Sequence, residues 1–279
     1  MGVSLSSVSA LLARIGSARD VAFGTYLLPP GPVRDALVAA ARRGAHVAVT
    51  LQADPYRNPG GARGNEETAR ALRAAGASVR LLESAATPFH IKAAACDGVA
   101  FLDDRNWTQR GPEIVLADDT PRDVALVRAA LAGRGGADTA LATRKDESLR
   151  REVELIERAG TAAVTVETER VGTSPLTDAL RRHARAGAPA TLIVGRTKHH
   201  SGLERSALAK LARDGVRVCE GGKNEKLALA GRTAWIGSGN ATGANGRGAA
   251  QLEWGMTTQD PALVGAVRAA LARDARCAT

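Results

Sequence analysis

The chain has 279 residues, 44% of them hydrophobic, which is more than one core of ordinary size takes up and enough for two compact lobes. Lys and Arg number 38 against 29 Asp and Glu, a formal charge of +9 that suits an anionic partner and is spread along the chain rather than gathered in a tail. Aromatic residues are only 3%, which leaves few stacking platforms for single-stranded nucleic acid, and no apolar run is long enough to span a bilayer.

The N-terminus lacks the basic start and apolar stretch of a secretion signal. Met1 to Ser6 fits a myristoylation pattern, but the pattern is short and the expected location is cytoplasmic. The periodicity then predicts a helix from Ser7 to Ile15, a strand from Asp20 to Leu28, and a helix over Asp35-Ala-Leu-Val-Ala-Ala-Ala-Arg-Arg that Gly44 stops. A strand from His46 to Gln52 follows. Gly60-Gly61-Ala62-Arg63-Gly64 lacks the Lys-Ser/Thr of a P-loop and reads as a flexible flap or a surface loop. A helix ends at Gly76, a strand runs through Val79, a pair of strands spans His90 to Asn106, and a closing strand and helix reach Leu131. The glycine-rich Leu131 to Gly136 reads as a linker.

The same order then recurs. A helix is expected from Lys145 to Arg158, a strand from Ala163 to Val171, and a helix over Asp178-Ala-Leu-Arg-Arg-His-Ala-Arg-Ala to Gly187. A strand follows from Pro189 to Gly195. Lys210 to Val218 matches Ala71 to Val79, Asn224 to Asn240 matches His90 to Asn106, and Glu253 to Leu271 matches Glu113 to Leu131. Two long units are too few for a solenoid. They predict two pseudo-twofold-related α/β lobes, residues 1–136 and 137–279, each with a largely buried sheet. Trp107 and Trp235 read as core. The three cysteines, Cys96, Cys219 and Cys277, show neither pairing nor metal spacing, and Cys96 is expected to pack as a small apolar group.

The chemistry concentrates in His90-Ile-Lys92, with Asp97 five places after the lysine and Asn106 beyond it. Positions two apart on a strand share a face, so His90 and Lys92 are expected to project together. A neutral imidazole attacks phosphorus, an ammonium holds the non-bridging oxygens, an amide donates a hydrogen bond, and a carboxylate such as Asp97 braces an imidazole or a lysine. This set needs no metal and no cofactor. In the second half Lys226 and Gly237-Ser238-Gly239-Asn240 take the matching places.

These residues resemble the phospholipase D superfamily, whose signature is His-x-Lys-x4-Asp followed by Gly-Ser-x-Asn, usually present twice. Through the repeat, the resemblance covers nearly the whole chain. It implies two α-β-α sandwich lobes that bring both motifs to their interface, and a two-step reaction in which one histidine becomes phosphorylated while the other protonates the leaving group. Glu113 and Glu253 resemble the acidic residue that follows each motif. The implied partner is a phosphodiester: a phospholipid, a nucleic acid or a small diester.

The sequence departs from the signature at four places. Asn224 stands where the second histidine is expected, Gly231 where the second aspartate is, and Asp103-Asp104 replace Gly-Ser in the first half. Asn is neither nucleophile nor general acid near neutral pH. His199 and His200, in the loop matching Tyr56-Arg57, are candidate replacements. Glu225 should point away from the site, or lie at its rim. The expected set is therefore His90, Lys92, Asp97, Asn106, Lys226 and Asn240 for catalysis, with Asn224, Ser238, Glu113, Glu253, His199 and His200 around the substrate. The alternative is a protein that only binds phosphate or nucleic acid. The second lobe should cover the surface on which another copy would dock, so a monomer is expected over a homodimer.

Overall fold

The computed structural model of the chain describes residues 2–56, 58–85, 88–107, 114–195, 200–243 and 249–274. The first half runs β1 (Val3–Ser6), α1 (Val8–Ser17), β2 (Asp20–Thr25), α2 (Pro32–Arg42), β3 (His46–Gln52), α3 (Pro59–Ala74), β4 (Ser78–Leu82), β5 (Ala93–Cys96), β6 (Val99–Asp103), β7 (Val115–Asp118) and α4 (Pro121–Leu131). The second runs β8 (Leu141–Ala142), α5 (Lys145–Glu157), β9 (Val164–Thr168), α6 (Pro175–Arg185), β10 (Ala190–Val194), α7 (Gly202–Arg213), β11 (Arg217–Glu220), β12 (Leu227–Ala230), β13 (Thr233–Gly237), β14 (Gly255–Thr258) and α8 (Pro261–Asp274).

Each half builds a seven-stranded mixed sheet in the same order, β4-β3-β2-β5-β6-β7-β1 and β11-β10-β9-β12-β13-β14-β8. In the first, β2, β3 and β4 are parallel, because α2 and α3 carry the chain back between them, and β5, β6, β7 and β1 continue antiparallel. The second repeats every one of these directions. One topology written twice is what an internal duplication of an α/β lobe produces. Sequence patterning missed the edge strands β1 and β8, which at four and two residues are too short to show alternation.

Local chemistry fixes the elements. Proline opens α2, α4 and α6, where its missing N–H costs nothing. Capping boxes, Ser174 with Thr177 and Ser201 with Glu204, start α6 and α7. Gly44 and Gly187 follow α2 and α6 at φ of 92° and 83°, a conformation glycine takes without penalty.

Hydrophobic packing is in three layers. One outer core lies under α1 and α2 and includes Leu11, Phe23, Leu37 and Val49, and another lies under α5 and α6 and includes Ile156, Val166, Leu180 and Leu192. The central core draws on both halves, with Phe89, Leu116 and Val127 packed together with Leu227, Trp254 and Val267. The lobes thus share a core rather than each closing its own.

Three expectations need correction. Gly60 to Gly64 is neither a flap nor a loop but the first turns of α3: Pro59 opens the helix, and the Asn58 side chain caps it by accepting from Gly61 N at 2.8 Å. Of the two places expected for Glu225 the rim is excluded: it is fully buried outside the site, paired with Arg273 at 3.1 Å. Cys219 is disulfide-bonded although the spacing pointed to no pair. Cys96 is a free thiol buried in the first outer core, and burial pushes its pKa up to about 12. Trp107 and Trp235 lie in the two outer cores. No helix among the described residues is long and apolar enough to cross a membrane.

Candidate active site

The ends of β2 and β3 and the segment before β5 meet at one corner of the first sheet. Asn65, buried on α3, ties them: its Oδ1 accepts from Leu28 N at 3.0 Å, and its Nδ2 donates to Tyr26 O at 2.9 Å and Gln52 O at 2.8 Å. Gln52 Oε1 then accepts from Phe89 N at 2.7 Å. From the other lobe, Leu252 N donates to Pro88 O and His90 N donates to Leu252 O, both at 2.9 Å, and Phe89 bridges Leu252 in parallel. Trp254 Nε1 donates to Asp103 O at 2.9 Å. His90 is therefore held by main-chain bonds on the seam between the lobes, just ahead of β5 rather than within a strand.

His90 Nδ1 lies 3.1 Å from Glu253 Oε1; the histidine side chain is 15% exposed and the carboxylate 2%. The Tyr26 ring meets the imidazole edge-on at 4.9 Å. Lys92, 1% exposed, donates to His90 O at 2.8 Å and brings its Nζ within 3.0 Å of both ring nitrogens. Lys226, 3% exposed, makes the equivalent 2.8 Å bond to Asn224 O. The two lysines thus fold back on the residue two places before them in the same way.

Burial and the Lys92 charge lower the His90 pKa to about 4, although Glu253 pulls the other way. The imidazole is neutral at pH 7. Burial and Lys226 lower Lys92 to about 7. Burial would raise Glu253, but Lys145 and the His90 hydrogen bond outweigh it and keep the carboxyl below its usual range. Lys145, on α5, lies 4.0 Å from Glu253 and donates to Thr242 Oγ1 at 2.9 Å.

The two asparagines hold matching places. Asn106 Oδ1 accepts from Thr25 Oγ1 at 3.4 Å, and Asn240 Oδ1 accepts from Arg170 N at 3.2 Å. Each amide is thus tethered through its oxygen to the end of its lobe's first long strand, with the NH2 as its donor. Asn224 occupies the place of a second histidine in a left-handed conformation, φ 67°, which Asn tolerates better than most residues.

Several expectations fail here for physical reasons. Asp97 does not brace His90 or Lys92. It sits at the far end of β5, where its carboxylate accepts from Arg19 N at 3.1 Å and Asp20 N at 3.0 Å. It takes φ 51°, and Gly231 takes φ 57° at the matching turn, so the position asks for a left-handed residue. Ser238 is fully buried, with its hydroxyl accepting from Trp254 N at 3.0 Å, and does not face a substrate. Asp104 does the same for the first lobe, accepting from Ile114 N at 3.2 Å. Burial and the neighbouring Asp103 push the Asp104 pKa well above its usual value. Asp103 accepts from Trp107 N at 2.6 Å. Both carboxylates thus accept from backbone N–H groups of their own lobe. His200 is buried, its carbonyl accepting from Arg205 at 2.5 Å, and among the described residues no hydrogen bond or ion pair joins it to His90, Lys92 or Lys226. Glu113 and His199 lie outside the described residues.

Sequence reasoning missed Tyr26, Glu169 and Lys145. Tyr26 and Glu169 follow β2 and β9 at equivalent positions, and Glu169 Oε2 lies 3.3 Å from Lys226 Nζ. The repeat alignment could have found both, since they are the pair that changes most in character between its two copies. No group of three or more His, Cys, Asp or Glu among the described residues is arranged to hold a metal ion.

Residues 11–121 match the family described as "Cardiolipin synthase, PLD-like domain", a stretch within the first lobe that is less than half of the chain. No curated protein sequence matches the chain. Among solved structures, the polyphosphate kinase of Porphyromonas gingivalis is similar over 94% of this chain at a TM-score of 0.66 and 16% identity; the match spans 45% of the kinase's own length. The phospholipase D family member Nuc from Salmonella typhimurium is similar over 47% of this chain and 92% of its own, with TM-score 0.41 and 20% identity. NucT from Helicobacter pylori matches 48% of this chain and 93% of its own, with TM-score 0.39 and 16% identity. The kinase match extends across both lobes, and at its identity it bears on the fold alone.

Proposed function

We propose that the protein is a phospholipase D-like phosphodiesterase that works through a phosphohistidine at His90. The observation that carries this is the pairing of a neutral His90 imidazole with Glu253 through Nδ1, which leaves the Nε2 lone pair to attack. Lys92 and Lys226 supply the cationic clamp for the non-bridging oxygens, and Asn106 and Asn240 donate from their amides. Before substrate arrives the Lys92 ammonium also covers Nε2, and an incoming phosphate draws it off. The lone pair forms the N–P bond as the P–O bond to the leaving group breaks. The proton for the leaving oxygen comes from the Lys92 ammonium or from water. Water, or an alcohol in a transfer reaction, then displaces His90 from phosphorus. The substrate is a lipid, nucleic acid or small diester.

A second reading is a phosphate-binding protein without turnover, and Asn224 is the observation that favours it, because among the described residues no second histidine stands across from His90. Loss of general acid help typically costs about 10²–10⁴-fold, which points to a slow enzyme on natural leaving groups and a faster one on activated esters. The test is hydrolysis of an aryl phosphodiester with a good leaving group. Release that disappears in His90→Ala supports the phosphodiesterase. Phosphate-ester binding that weakens with salt and with Lys92→Ala, with no release, supports the binding protein.

A further inference from the structure

The clamp contains one charge that phosphate binding does not call for. Glu169 follows β9, and its carboxylate reaches the buried Lys226 at 3.3 Å with 43% of its own side chain exposed, so it stands between that lysine and solvent. Burial would raise its pKa, but Lys226, His90 and Lys92 outweigh this and hold it below the usual range, so it is ionised. Tyr26, at the matching place in the first lobe, lies within reach of its charge. Beyond Glu253, which orients His90, a second carboxylate therefore stands against Lys226, one of the two lysines expected to hold a phosphate.

Coulomb energy is linear in ligand charge. A phosphodiester carries one negative charge, whereas a phosphate monoester carries close to two above its second pKa of about 6. Resting on the phosphate-clamp reading above, we propose that Glu169 is a specificity-determining charge filter: it admits singly charged phosphodiesters and disfavours doubly charged phosphate, including the monoester released by hydrolysis. Substrate and product then differ in the property the carboxylate senses, and product leaves more readily than substrate.

The test is titration of the full chain, wild type and Glu169→Gln, with methyl phosphate and with dimethyl phosphate at pH 7, where the monoester is mostly a dianion and Lys92 still carries charge, followed by phosphorus NMR or calorimetry. Removing one negative charge, and freeing Lys226, acts on a dianion with twice the logarithmic effect it has on a monoanion. The variant is expected to bind methyl phosphate roughly tenfold more tightly and dimethyl phosphate roughly threefold more tightly. Glu169→Asp, which keeps the charge, should retain the wild-type selectivity. Equal gains for both probes, no gain for methyl phosphate, or the same gain in Glu169→Asp overturns the filter. Binding of neither probe by any of the three proteins overturns the clamp itself, a separate result.

Discussion

At the end of β2 the first lobe carries Tyr26, whose ring lies against His90; at the end of β9 the second lobe carries Glu169, whose carboxylate lies against Lys226. The lobes share strand order, lysine geometry and asparagine tethers. They differ in what each adds to the seam. The first contributes the candidate nucleophile. The second contributes Glu253, the carboxylate that orients it, and a left-handed Asn224 where a histidine is expected. A duplicated frame can thus be kept for its packing, since the central core is common property, while its two copies divide the chemistry between them. It also follows that neither lobe holds a complete site.

The sharpest way to break this division is to remove each lobe's counterpart residue. His90→Ala is expected to lower turnover of an activated diester by roughly 10³-fold or more, while Asn224→Ala changes it by about threefold or less. Comparable losses would mean that Asn224 itself takes part in the chemistry. Next in size is Glu253→Gln, which keeps the shape and removes the charge that orients Nδ1. A fall of roughly 10²-fold in kcat with KM nearly constant is expected, and a change confined to KM would remove Glu253 from its positioning role.

The pH profile sharpens the comparison further. His90 attacks only when neutral, so kcat/KM should rise as pH passes through about 4. Lys92 clamps only when charged, so kcat/KM should fall as pH passes through about 7. In Lys92→Arg, which stays charged, the upper limb should move well to the alkaline side. The smallest effect belongs to Asp97→Ala. Losing its bonds to Arg19 N and Asp20 N should cost about 1 kcal/mol and roughly 2–4 °C in Tm, with kcat unaltered. Loss of activity in a variant that still melts normally would return Asp97 to the site.

Much of this was legible in the sequence. Helix periods, capping residues and the repeat located the helices and the long strands of the described residues because each signal is local. His90, Lys92, Lys226, Asn106 and Asn240 stood out through spacing, and Glu253 through the family resemblance. What spacing could not tell is which members of a motif point the same way. Asp97 belongs to the motif in sequence, but the length of β5 separates it from His90, and only the turn's left-handed backbone explains why Asp and Gly both serve there. Asp104 and Ser238 look unrelated as letters yet make the same bond to the strand beside them. Lys145 was invisible because its partners lie far along the chain, at Thr242 and Glu253. Gly60 to Gly64 misled because low helix propensity was overridden by an N-cap and a proline placed just before it.

The central claim is that His90 alone carries the phosphoryl group. The most direct measurement is mass spectrometry of the protein quenched during reaction with an activated aryl phosphodiester, with His90→Ala alongside. The account predicts an adduct of one phosphoryl ester mapped to His90 and absent from the variant. An adduct on another residue, or release of the aryl group at the same rate in His90→Ala, would contradict it.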